Sequence, residues 1–174
     1  MGKFLAVLIL GSAILAGGGL YYLQVYAYYD KVEPDGRDDV QLTRLTSEQV
    51  ETIAYSDFEA IDSESSPIRY RACFNTSLAL DVLADAYQPY DKPVPLEAPG
   101  WFDCFDADGI AAGLKDGSAL AFMGQKDIEY GIDRIVAVTD DGRGYVWHQI
   151  NRCGKVVFDG LPTPEDCPEP PNRN

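Results

Sequence analysis

One N-terminal membrane-spanning helix followed by a small α+β domain is the architecture this chain predicts, and three observations predict it. From Phe4 to Tyr29 no charged residue occurs, a run of 26 residues. Farther on, Asp133–Thr139 (DRIVAVT) and Tyr145–Ile150 (YVWHQI) flank Asp140-Asp141-Gly142-Arg143-Gly144, the pattern of two strands joined by an Asp/Gly turn. Elsewhere, strand-like and helix-like stretches are intermixed without regular βα alternation. That mixture predicts an antiparallel sheet with two or three short helices.

The uncharged run comes first in the chain and in the argument. A helix rises about 1.5 Å per residue, so roughly 20 apolar residues cross a hydrocarbon core. The run ends in Tyr21, Tyr22, Tyr26, Tyr28 and Tyr29, rings suited to a membrane–water interface. Lys3 precedes it and the acid-rich DKVEPDGRDD follows, which favours a cytoplasmic N-terminus and an exported remainder. A cleaved signal peptide ending near Ala16-Gly17-Gly18 is the competing reading, but the uncharged run continues for several turns beyond that point. Lipid anchors are not indicated: the first cysteine is Cys73, and Ala6 stands where a myristoylation signal carries Ser or Thr. Ser12/Ala16 and Ala13/Gly17 make a small-residue helix face.

The expected division is an anchor over residues 1–29, an acidic linker over 30–39, an α+β domain over 40–160 and a proline-rich tail over 161–174. Only Lys3 among the charged residues lies in the anchor, so the rest carries 13 basic against 28 acidic residues, a net charge of −15. Such a surface repels phosphates, so nucleic acid is not an expected partner. Four cysteines, Cys73, Cys104, Cys153 and Cys167, lie 31, 49 and 14 residues apart with no CxxC pair. That spacing does not make a zinc ribbon and suits two disulfides in an oxidising compartment. Of the three connectivities, Cys73–Cys104 with Cys153–Cys167 is favoured, because the second bond closes a short loop and pins the proline-rich tail.

Within the domain, Val40–Leu45 reads as a first strand. Ser47-Glu48-Gln49-Val50 fits the start of a short helix, while Ile53 and Tyr55 fit a strand equally well. Pro67–Phe74 alternates Ile68, Tyr70 and Ala72 against Arg69, Arg71 and Cys73, the period of a half-buried strand. Asn75 or Thr76 is placed to cap a helix carrying Leu78, Leu80, Val82, Leu83 and Tyr87. Prolines 89, 93, 95 and 99 mark an irregular crossing loop. Asp106 is a good cap for a helix over Ala107–Leu114, ended by Asp116-Gly117, with a strand at Ala119–Met123. Gly154–Phe158 reads as a last short strand, and the tail is expected to be ordered no farther than Cys167.

The opening MGKFLAVLILGSAILAGGGLYYLQVYAYY, the RYRACF and WFDCF segments, and YGIDRIVAV with DGRGYVWHQIN resemble a family of uncharacterised alphaproteobacterial proteins. The resemblance covers nearly the whole chain and implies a Gram-negative inner membrane and periplasm, with no activity to carry onto any residue. Some relatives carry a histidine-kinase label. This chain lacks the phospho-accepting helix and glycine-rich lid of a kinase, and its single histidine is His148.

Candidate chemistry is sparse. His148 shares a strand face with Val146 and Ile150, which suits a hydrogen-bonded core residue better than a base. Asp103, Asp106 and Asp108 alternate before Gly109, yet the EF-hand pattern puts Cys104 at its first position and Lys115 at its twelfth. Arg69, Arg71, Arg134 and Arg152 stand out in so acidic a domain: Arg69 and Arg71, on one strand face, suit an anion or a partner's carboxylate, and the simpler expectation is internal pairing, with Asp133 or Asp103 as the carboxylate. No GxSxG occurs, and no metal or cofactor is expected. The reading is a periplasmic accessory protein tethered through residues 4–29 to the inner membrane, acting by contact in a membrane or periplasmic complex through an aromatic surface near Trp101 and Trp147. The alternative is an enzyme or small-molecule sensor with a site around His148, Asp133 and Arg134.

Overall fold

The computed structural model describes residues 2–171, in two units that divide at residue 30. The first is α1 (Gly2–Tyr22), extended by a π-helical turn over Leu23–Ala27. It buries none of its side chains, and its mean hydropathy of 2.0 makes it long and apolar enough to cross a membrane. Near its end the Tyr22 and Tyr26 rings stack at 5.8 Å.

The second unit is an α+β domain with eight strands in two sheets. The strands are β1 (Asp30–Val32), β2 (Gln41–Thr43), β3 (Val50–Thr52), β4 (Ser56–Asp62), β5 (Arg71–Asn75), β6 (Ala119–Glu129), β7 (Ile132–Thr139) and β8 (Arg143–Ile150). The helices are α2 (Leu80–Ala86), α3 (Ala107–Asp116) and α4 (Arg152–Phe158). Six strands form the main sheet in the order β1-β4-β5-β8-β7-β6, and β2 and β3 make a separate ribbon. The β7–β8 hairpin forms as the sequence predicts, with Val136 opposite Val146 and Arg134 opposite His148.

Each face of the sheet is covered by something different. Pairing across β5 and β8 places Ala72 opposite Val146, and that face meets Val40, Leu42, Ile53, Leu83 and Tyr87 in the main core. The alternate residues Arg71, Cys73, Tyr145 and Trp147 look the other way, under the crossing loop and α3. This double cover is why four consecutive residues of β5, Arg71–Phe74, are all buried. The outer side of β6 is occupied by the loop, since the Tyr90 and Met123 N–H groups donate to the Ala121 and Gln88 carbonyls. β1 is the other edge.

Several local expectations change. Asp30–Val32, read as linker, is the edge strand β1. Ser47–Val50 forms no helix: Glu48 has φ +56°, and Arg44 N–H donates to Gln49 O, so these residues turn the β2–β3 ribbon. The strand expected from Pro67 starts at Arg71, because Ser66 and Arg69 N–H groups are spent on Ser63 and Ser66 carbonyls in turns. The following helix starts only at Leu80. Thr76 instead donates its hydroxyl to Ala54 O and its N–H to Gly142 O, holding the chain extended through Ala79.

Gly154–Phe158 belongs to a helix, not a strand. The Asn151 side chain accepts the Gly154 N–H at 3.0 Å and starts α4. The tail is described past Cys167 as far as Pro171. Asp106, by contrast, caps α3 as expected, accepting the Gly109 N–H at 3.1 Å, and Gly117 at φ +88° ends it.

Candidate functional site

The polar residues singled out from sequence lie mostly inside the fold. His148 on β8 faces Arg134 on β7. The Arg134 Nε–H donates to His148 Nε2 at 3.1 Å, and an arginine nitrogen can only donate. His148 Nδ1 must therefore hold the proton, which it donates to Pro67 O at 2.7 Å. The imidazole stacks on Tyr70 at 4.7 Å, and the Arg134 guanidinium sits 4.9 Å from the same ring. Burial pushes the His148 pKa down to about 4, aided by the charges of Arg134 and Arg71 and opposed by the Pro67 carbonyl. Burial likewise pushes Tyr70 up to about 12. With both nitrogens committed and the ring neutral, His148 holds structure together and has no lone pair left for a substrate proton.

Asp133 points to the opposite face of β7 from Arg134, so the three residues expected to share a site do not converge. Its Oδ1 accepts the Asp127 N–H at 3.0 Å and Asn151 Nδ2 at 2.9 Å, and its Oδ2 accepts the Tyr90 hydroxyl at 3.2 Å. This network fixes the irregular end of β6 and the Asn151 cap of α4. An ion pair with arginine was expected there; a peptide N–H, an amide and a phenol do the work.

Arg71 and Arg69 do not present one face. Arg71 is 4% exposed, and its guanidinium donates to the carbonyls of Leu96, Ile68, Tyr70 and Glu97 at 2.7–3.1 Å. Arg69 precedes the strand, in the turn. Arg71 thus straps the crossing loop to the sheet. Trp147 is fully buried and offers no surface.

What remains accessible is a surface built around the WFDCF segment. Phe102 and Phe105 are buried, with the Phe105 ring edge-on to Tyr145 at 5.9 Å and to Trp147 at 6.4 Å. The Cys73–Cys104 disulfide pins the segment to β5. Asp103 is exposed and Trp101 half-buried between these anchors. Beside them runs a groove of about 600 Å³, walled by Lys31 and Val32 of β1, Phe58 and Glu59 of β4, Trp101 and Asp103. Beyond Cys104, clefts of about 340 and 420 Å³ continue the surface past Tyr145 and Arg143, with Asp57, Asp106 and Asp140 on their walls. Glu59, Asp103 and Cys104 line both the groove and the nearer cleft.

The surface is acidic. Lys31 and Arg143 are the basic residues among those lining it, and Arg143 is paired with Asp141 at 2.8 Å. Among the described residues no three His, Cys, Asp or Glu side chains are grouped to hold a metal ion. Trp101 and the WFDCF motif were visible in the sequence as an aromatic, disulfide-bearing segment. Lys31, Phe58 and Glu59 were not, since only the pairing of β1 with β4 brings them there.

No curated protein and no solved structure matches the chain. A family model does match, over residues 40–168, which takes in both disulfides, the crossing loop, the β2–β3 ribbon and five of the six strands of the main sheet but leaves out α1 and β1. By that match the chain belongs to the Family of unknown function (DUF6446).

Proposed function

We propose that this protein is a single-pass inner-membrane protein whose periplasmic domain acts by contact within an envelope complex, using the groove along Trp101–Asp103 as its docking surface. One observation carries the reading: His148, Asp133 and Arg71 spend their side-chain donors and acceptors inside the fold, whereas the WFDCF surface is open and rigidly held. A catalytic group would need a partner within reach of a substrate, and these residues spend their hydrogen-bonding groups on the fold's own backbone and side chains instead. An apolar helix of membrane-spanning length and two disulfides support the tether and the oxidising compartment.

The test is a photoreactive amino acid placed at position 101, with position 115 on exposed α3 as control, in cells expressing the full chain. A discrete adduct from 101 but not from 115 is the expected result. Equal labelling from both positions, or none from 101, removes the docking role.

A further inference from the structure

Past Cys167 the chain reads Pro168-Glu169-Pro170-Pro171, a P-x-x-P sequence. Proline fixes its own φ near −65° and drives the preceding residue into extended backbone, so this segment favours the polyproline II form on its own. It is also held in place. Cys167, just before it, is bonded to Cys153 in α4. The Tyr130 hydroxyl donates to the Pro168 carbonyl at 2.9 Å. Pro170 and Pro171 line a groove of about 840 Å³ whose other walls include Ile68, Ile132, Ile150 and Phe158.

The resident segment does not fill this groove, since Phe158 stays 46% exposed. An aromatic hydroxyl donating to a proline-segment carbonyl beside an apolar trough is the chemistry by which folded domains take up polyproline II segments. Carbonyls in that helix have no internal partner, and its rings pack into apolar walls at little entropic cost.

We infer that this groove recognises an extended proline-rich segment of a partner protein, and that the chain's own Pro168–Pro171 lies along one side of it in cis as a tethered competitor. The partner segment is basic. Glu129 is the charged residue among those lining the groove, so a partner segment carrying Lys or Arg gains an attraction there that the acidic Glu169 of the resident sequence cannot supply. The Cys153–Cys167 bond keeps the cis segment one residue from a covalent link to α4. Its effective concentration is then on the order of millimolar, which a partner must outcompete.

The test is fluorescence anisotropy of a labelled peptide built on Pro-Lys-Pro-Pro, added to the full-length protein in detergent micelles. The full-length variant Pro170→Ser with Pro171→Ser, which keeps both disulfides and the Pro168 carbonyl, should bind at least tenfold tighter than the native chain. Adding Tyr130→Phe to that variant should weaken binding about fivefold, and a peptide with alanine for every proline should not bind. No binding to the double variant at millimolar peptide, or equal affinity for native and variant chains, overturns the proposal. So does a native chain that dimerises by exchanging tails. Should the variant fail to fold, a photoreactive version of the same peptide on the native chain decides: adducts on residues 129–132 and on α4 support the site, and adducts elsewhere overturn it.

Discussion

Arg134 Nε–H donates to His148 Nε2 across the β7–β8 pair, and both groups lie against the Tyr70 ring. Protonating Nε2 would remove the acceptor and set a second cation beside the guanidinium. The folded-state pKa of about 4 lies below the ordinary 6.5, so the unfolded chain takes up this proton first. The stability His148 contributes is complete above pH 6.5 and is lost as the pH falls through 4, a change on the order of 3 kcal/mol. Denaturant unfolding across pH 4 to 6.5 should show that slope, and His148→Gln should flatten it. Asp141 and Asp57, whose pKa values are lowered from 3.8, add their loss below the window, and Glu51, lowered from 4.5 by Arg44 and Tyr87, overlaps only its acid end. An unchanged slope in the variant would refute the assignment.

Local chemistry made the hairpin, the Asp106 cap and the disulfide pairing legible, because turn residues, capping residues and loop length act over a few positions. Burial on the second face of the sheet was not legible. Arg71 alternates with apolar residues and so reads as solvent-facing, but the crossing loop, folded over it from 25 residues away, turns the same periodicity into a buried strap. Trp147 misleads for the same reason, lying under Phe105. Gly154–Phe158 is too short for helical and strand periods to separate, and the Asn151 cap decided it.

Arg71 predicts a defect specific to its geometry. Its fork reaches four carbonyls at once, two of them on the crossing loop. Arg71→Lys keeps the charge but cannot reach them all, and leaves buried carbonyls without donors. Both Arg71→Lys and Arg71→Ala should lose about 1–3 kcal/mol in chemical denaturation for each buried carbonyl left without a donor. Limited proteolysis of the lysine variant should open first between residues 91 and 101. A lysine variant as stable as the native chain would contradict the strap.

Gly131 and Gly154 meet backbone to backbone where α4 docks on the β6–β7 turn. A Cβ on Gly154 would lie 2.3 Å from the Gly131 carbonyl oxygen, and neither backbone can yield as a side chain would. Gly160 has φ +75° but open space around it. Gly160→Ala should therefore cost about 1 kcal/mol of backbone strain, whereas Gly154→Ala should cost about 3 kcal/mol or more and detach α4. Comparing the two variants by thermal unfolding separates overlap from conformational strain.

The two disulfides close loops of different length, with sequence separations of 31 and 14. Loop-closure entropy gives about 3 kcal/mol for the shorter loop and some 0.6 kcal/mol more for the one twice as long. Their functional consequences should diverge more than their energies. Opening Cys153–Cys167 leaves the tail to the Tyr130–Pro168 and Arg152–Asp166 contacts, and leaves the WFDCF segment on β5. Opening Cys73–Cys104 leaves Phe102 and Phe105 to hold that segment by packing alone, and the wall of the groove loosens. A Cys73→Ser/Cys104→Ser protein should keep the fold yet lose the adduct formed from position 101, while Cys153→Ser/Cys167→Ser should keep the adduct. If both double variants cross-link as the native chain does, the disulfide-pinned segment is not the contact surface.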